Sequence, residues 1–198
     1  AHASSIRRSG IPDWNTGFIT RGGGAFRDMG VHALDAVWWL MGMPQPVSVL
    51  GTSGAHFGPR GQGYWDFRQP PASFYSQYAA DDYGGGFITF ANGAGLQIES
   101  FWASHQRPRF QLELFGTAGG ATYDPLMVYR TVNGAPQDIA VTLPGTQTAW
   151  DNIAAHWIEC ILDGVPCRAP LRHGLQVQQM MEALLESGKT GREIRFDE

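Results

Sequence analysis

The run Gly22-Gly23-Gly24-Ala25-Phe26-Arg27-Asp28-Met29-Gly30-Val31-His32-Ala33-Leu34-Asp35 gathers the residue types best suited to chemistry. A helix turns by about 100° per residue, so Asp28, His32 and Asp35 fall within roughly 60° of one another. Phe26, Met29, Val31, Ala33, Leu34, Val37, Trp38 and Leu40 fill nearly all the rest of the wheel. A helix so apolar is expected to be buried. Two carboxylates and an imidazole on its polar stripe then need partners or a wet cavity. In such a cavity an Asp/His pair one turn apart suits proton transfer to or from a hydroxyl. The spacing leaves a second reading open, and it is the commoner one on helices: a solvent-facing stripe whose i,i+4 Asp–His pair contributes little. Metal binding by these three would need ligands from elsewhere, and no metal site is expected.

Other chemistries find little support. No G-x-G-x-x-G follows an expected strand, and no phosphate-binding G-x-x-x-x-G-K-[ST] occurs. Gly116-Thr117-Ala118-Gly119-Gly120 follows a strand, but the residues after it read as extended, so it is taken as a turn. Gly84-Gly85-Gly86 precedes a strand, the wrong order for a helix-terminus phosphate site. No Ser sits in a G-x-S-x-G elbow. Cys160 and Cys167 form neither a C-x-x-C pair nor a zinc-finger spacing with His, so free thiols in a cytosolic protein are expected. A net charge of −4 gives no electrostatic reason for a nucleic-acid partner. The longest apolar run, Ala36 to Met43, is too short to cross a bilayer, and residues 1–8 lack the apolar core of a signal peptide. The sequence does not start with Met, which suggests a fragment or a processed product.

The elements that must position these residues follow from periodicity. The chain has 198 residues, 43% of them hydrophobic, with seven Trp, enough for one ordered domain over 1–198. Residues 1–24 read as an irregular lead-in. A helix is expected from about Ala25 to Met41, closed by Gly42 and Pro44. Val47–Thr52 reads as a strand, and 53–80 as a long surface loop. Gly86–Phe90 and Leu96–Trp102 flank Asn92-Gly93, a hairpin signal, and a third strand holds Phe110, Leu112 and Leu114. Val128–Val132 and Ile139–Leu143 suggest a second hairpin with a longer loop. Trp150, Ile153, Trp157, Ile158, Ile161 and Leu162 mark an amphipathic helix; Val177 to Leu185 mark another, stopped by Gly188. Ile194–Phe196 adds an edge strand. The expected fold is α+β: an open, mainly antiparallel sheet of five or six strands with helices packed on one face.

The segment Gly22–Asp35 also resembles the G-G-G-x-L-x-D-x-G-x-H-x-x-D signature of the Gfo/Idh/MocA oxidoreductases. The resemblance continues through Asp82–His105, Leu114–Ala121, His156–Pro166 and Val177–Glu193, nearly the whole chain in order. It implies the C-terminal substrate and oligomerisation domain of a two-domain enzyme, of the glyceraldehyde-3-phosphate-dehydrogenase-like type. An N-terminal Rossmann domain, absent from this chain, would bind NAD or NADP. The implied activity is hydride transfer from a sugar, polyol or related hydroxyl compound. Asp28 would orient substrate, His32 would relay the proton, and Asp35 would be mainly structural. A homodimer or homotetramer through the sheet is implied. Arg27 replaces a usually aliphatic residue and is expected to snorkel rather than bind a carboxylate. Trp14, Arg21, His105 and His173 could border the cleft, although packing or surface roles are commoner for such residues. The family's catalytic lysine lies in an E-K-P motif that this chain lacks. Its single lysine, Lys189, cannot stand in for it, so the chain alone should be inactive. Two alternatives remain: an NAD-cycling glycoside hydrolase of the same family, and a non-catalytic oligomerisation or binding module.

Overall fold

The computed structural model describes residues 1–143, 145 and 148–196. Its strands are β1 (His2–Ile6), β2 (Pro46–Gly54), β3 (Tyr83–Phe90), β4 (Gly95–Phe101), β5 (Arg109–Gly116), β6 (Gly119–Tyr123), β7 (Leu126–Val132), β8 (Ala135–Ala140) and β9 (Ile194–Arg195). Its α-helices are α1 (Val31–Leu40), the short α2 (Ala72–Tyr75), α3 (Ala149–Leu162) and α4 (Leu171–Thr190). Among the described residues the strands form one sheet in the order β8-β7-β6-β5-β1-β4-β3-β2-β9. Every pairing is antiparallel except β1 with β4. The α+β reading holds, with more strands than expected.

The largest correction is at the start of the chain. Residues 1–24 are not an irregular lead-in, because β1 lies inside the sheet, parallel to β4 and antiparallel to β5. Its Ala3, Ser4, Ser5 and Ile6 are all buried. Small and hydroxylated residues give no apolar alternation, which is why this strand leaves no periodic signal.

Helices α1 and α4 lie against each other and against one face of the sheet, α1 over β1 and β5, α4 over β2 and β3. Between them Leu34, Val37, Ile88, Leu96, Ile98, Met180 and Leu184 are sealed from water. Each such side chain contributes roughly 1.5–3 kcal/mol by burial. Gly188 does not stop α4, which runs on to a left-handed cap at Gly191. A Cβ on Gly188 would meet the Ser53 backbone nitrogen at 2.8 Å, so its small size serves a close approach of helix to strand.

Two other expectations change. Residues 53–80 keep many exposed positions but also close a second core: Tyr64 is fully buried beside Ile11, Ile19, Met29 and Trp102, with Phe57, Phe74, Tyr75 and Tyr78 packed against them. The buried Asp82 carboxylate ties this segment down, its Oδ2 accepting from His56 N (2.8 Å), Phe57 N (2.6 Å) and Gly58 N (3.0 Å). The second hairpin is also tighter than expected, because Val132 pairs with Ala135 and leaves Asn133-Gly134 as a two-residue turn with positive φ at both positions.

Helix α3 departs from the expectation that the helices pack on the sheet. None of its residues is buried, and Trp150 and Trp157 are 80% and 62% exposed. Its start is nonetheless well formed, with a capping box between Thr148 and Asp151. No helix among the described residues is long and apolar enough to cross a membrane.

Candidate functional site

The residues leading into α1 form a wide turn. Phe26–Gly30 is one turn of π-helix, with Val31 N bonded back to Phe26 O. The 100° wheel therefore does not hold between Asp28 and His32, and single π-turns of this kind recur at functional sites. Nor is α1 buried all round, since His32, Asp35, Trp39 and Leu40 are exposed.

The turn is held from both ends. Gly24 N donates to Phe18 O at 2.9 Å, and Ala25 N donates to Asp81 O at 3.0 Å. Asp81 Oδ2 then accepts Phe26 N at 3.0 Å. Gly24 has φ +124°, and a Cβ there would lie 2.2 Å from Asp81 Oδ1, so only glycine suits this position. Burial pushes the Asp81 carboxyl above its ordinary range, opposed by the Phe26 N–H. Ser100 Oγ, from β4, donates to Ala25 O at 3.0 Å and fastens the turn to the sheet.

Asp28 is half-buried and gripped by two residues that the parallel β1–β4 pair delivers side by side. Ile6 pairs with Phe101, so the next residues, Arg7 and Trp102, leave the same end of the sheet. The fully buried Trp102 donates its Nε1–H to Asp28 Oδ2 at 2.8 Å. Arg7 Nη1 stands 3.8 Å from the same oxygen, and its guanidinium lies 4.9 Å from the centre of the Trp65 ring. Burial pushes the Arg7 guanidinium down from its ordinary value, and Asp28 opposes this.

Two clefts meet at Asp28 and His32. One, of about 490 Å³, is lined by Asn15, Phe18, Gly22–Gly24, Arg27 and Val31 together with that pair. The other, of about 520 Å³, is lined by Ser5, Arg7, Met29, Pro108, Arg109 and Asp124, again with that pair. The structure therefore brings Asp28 and His32 to a shared wall, while Asp35 is exposed and lines neither cleft. Such a wall offers a fixed carboxylate to receive a substrate hydroxyl and an accessible imidazole to exchange its proton.

Arg27 does not snorkel. Its Nε donates to Glu182 Oε1 at 3.0 Å and its Nη2 to Glu182 Oε2 at 2.6 Å, while Nη1 reaches Gly23 O at 3.2 Å. This bidentate pair joins α4 to the glycine turn. Trp14 packs edge-on against Phe18 and Trp65, His105 against Phe57, and His173 against Trp38. These three and the exposed Arg21 line neither cleft. Lys189 also lies outside both, on α4 beside Glu186.

Arg7, Trp102 and Asp81 carry much of this architecture without having been singled out by sequence. Trp102 lies inside a segment that carries the family resemblance, and this was the only available signal for it. Without zinc-finger spacing, His156, Cys160 and Cys167 nonetheless converge, with one donor atom of each within 4.8 Å of the others.

Comparison with known proteins bears on this site. Residues 2–122 match the family described as the GFO/IDH/MocA C-terminal domain. A D-glucoside 3-dehydrogenase of Escherichia coli (strain K12) is 31% identical over 98% of this chain and 55% of its own length. An aldose-aldose oxidoreductase from Caulobacter crescentus, solved in complex with glycerol, superposes with a TM-score of 0.70 at 18% identity, covering 98% of this chain and 55% of that one. A levoglucosan dehydrogenase solved with NADH gives a TM-score of 0.73 at 18% identity, covering 100% and 58%. At these identities the two superpositions establish likeness of fold. The chain thus spans about half the length of the relatives it matches.

Proposed function

Because this chain belongs to the GFO/IDH/MocA family by way of its C-terminal domain, we propose that it is the substrate-binding and oligomerisation domain of an NAD(P)-dependent oxidoreductase acting on a sugar or polyol hydroxyl. The observation that carries this reading is the wall shared by Asp28 and His32 between two clefts, in a chain 31% identical to a sugar dehydrogenase.

Asp28, held by Trp102 and flanked by Arg7, accepts a hydrogen bond from a substrate hydroxyl and fixes the sugar's orientation. His32 takes the proton of the reacting hydroxyl as its carbon loses hydride. NAD(P), when bound, supplies the hydride acceptor. The residues here fit only its reactive end: the cleft beside Gly22–Gly24 and Phe18 has room for a ring near His32. Among the described residues no glycine-rich strand–turn–helix is present for a pyrophosphate. The nucleotide-gripping domain and the catalytic lysine are thus assigned to a separate N-terminal region, and the 198-residue chain alone is assigned no turnover.

The sheet face opposite α1 and α4 is assigned to self-association in the cytoplasm, building a dimer or tetramer. It presents Leu50 and Phe87, 56% and 47% exposed, beside Tyr83 and Phe101. Apolar side chains at such a density suit an interface.

The test is to assay the full-length protein with NAD and NADP against glucosides, aldoses and polyols, following NAD(P)H formation. Substrate-dependent reduction that collapses in His32→Ala supports the reading. Sugar release without net NAD(P)H, or unchanged kcat in that variant, overturns it.

A further inference from the structure

Helix α3 places His156 and Cys160 one turn apart on the same side, and the 163–170 connection to α4 folds back so that Cys167 meets them. His156 Nε2 lies 3.5 Å from Cys160 Sγ. The Arg168 backbone N–H donates to the same Nε2 at 3.0 Å, so Nε2 carries the lone pair and Nδ1 the proton. Nδ1 in turn faces Glu159 Oε2 at 3.6 Å. Both cysteines are free thiols, Cys160 half-buried and Cys167 exposed.

We propose that His156 Nε2, Cys160 Sγ and Cys167 Sγ form a binding site for one zinc-type divalent cation. Zinc takes thiolate sulfur at about 2.3 Å and imidazole nitrogen at about 2.0–2.1 Å in a tetrahedron, which sets the S···N edge near 3.5 Å. The Cys160–His156 separation already has that length, and Cys167 lies within 4.8 Å. Two soft sulfurs and one imidazole select zinc, cobalt or cadmium over magnesium and calcium, which take oxygen ligands. Glu159 Oε2, 3.6 Å from Nδ1, stands within a small side-chain shift of the carboxylate–histidine hydrogen bond that orients metal-bound imidazoles.

Binding requires two changes. Each thiol gives its proton to solvent, and the exposed Arg168 N–H passes from Nε2 to water. Three protein ligands leave a fourth position to water or another donor. None of the three residues lines the Asp28/His32 clefts, so the site stands apart from the proposed chemistry. Its effect would be to fasten the α3–α4 connection onto a helix that buries nothing against the sheet.

The experiment titrates the reduced full chain with Co²⁺, then with Zn²⁺, and follows absorption. The expected result is one Co²⁺ per chain, with a thiolate-to-cobalt charge-transfer band and tetrahedral visible bands, all displaced by one equivalent of Zn²⁺. Cys167→Ser, at an exposed position and checked for folding by circular dichroism, should weaken Co²⁺ binding by at least about tenfold. His156→Ala should do the same while keeping the charge-transfer band at saturating Co²⁺. Absence of that band, equal Co²⁺ affinity in a Cys160→Ser/Cys167→Ser double variant, or thiols that close to a disulfide and reject Co²⁺ after reduction each overturns the site.

Discussion

Asp28 is held by Trp102, 74 residues further along the chain, and the turn that presents it by Asp81, 55 residues beyond Phe26. His156 meets its neighbours within one helix and one connection, at separations of 4 and 12 residues. The first site exists only once the sheet and both cores are assembled, and its geometry is as rigid as the buried groups behind it. The second is local and half-exposed, and it depends on nothing beyond α3 and the connection that follows it. Long-range assembly gives a precisely placed carboxylate at the cost of sensitivity to remote substitutions. Local assembly tolerates a loose surround but needs an outside ligand to gain firmness.

That contrast is sharpest in variants that disturb one site and spare the other. The largest effect is expected from His32→Ala in the full-length enzyme, which should lower kcat by about 10²–10⁴-fold, the usual contribution of a positioned acid–base group, with thermal stability little changed. Steady-state kinetics across pH checks it. Gly24→Ala should follow, costing about 3 kcal/mol or more in a denaturant titration, because a Cβ at φ +124° meets Asp81 Oδ1. Trp102→Phe keeps most of the ring in the second core but removes the N–H to Asp28. It should cost about 1–3 kcal/mol of stability and raise KM more than it lowers kcat.

A smaller effect concerns pH. The folded-state pKa of Asp81 is raised by burial, so the native protein holds this proton more tightly than the unfolded chain does. Stability from this group is therefore full below the ordinary carboxylate range and declines as pH climbs through the raised folded value. Asp81→Asn, whose Oδ1 still accepts the Phe26 N–H, should flatten that decline in urea melts measured across the acid range. The smallest effect belongs to α3: Trp157→Ala, at a position 62% exposed, should change the stability of the 198-residue chain by less than about 0.5 kcal/mol. A large loss there would show that α3 packs against something and would end the contrast.

Legibility in the sequence divides along the same line. The hairpin turning at Asn92-Gly93, the amphipathic run of α4 and the edge strand β9 were all readable, because each depends on residues close in sequence. The convergence of Asp28 and His32 was readable as a stripe, though the π-turn alters the angle between them. β1 was not readable, since Ala3, Ser4 and Ser5 owe their burial to β4 and β5. Arg7 was hidden for the same reason. Arg27 was misread because its partner, Glu182, lies 155 residues away. His156 and Cys160 are spaced i,i+4 on one helix face, a spacing legible in the sequence, whereas the approach of Cys167 depends on how the 163–170 connection folds back.

The place of β1 also bears on how the chain reaches its native state. Within the sheet, among the described residues, the β2–β4 strands and the β5–β8 strands are joined through this strand, whose Ala3 pairs with Ile98 on one side and Leu112 on the other, 95 and 109 residues downstream. During synthesis it emerges long before either neighbour exists, and the gap it will fill has two unpaired edges until it docks. Pairings of such separation raise contact order and slow folding. Until that closure, β4 and β5 offer bare backbone donors and acceptors to any other extended chain, so the step that completes the Asp28 site is also the one most open to aggregation.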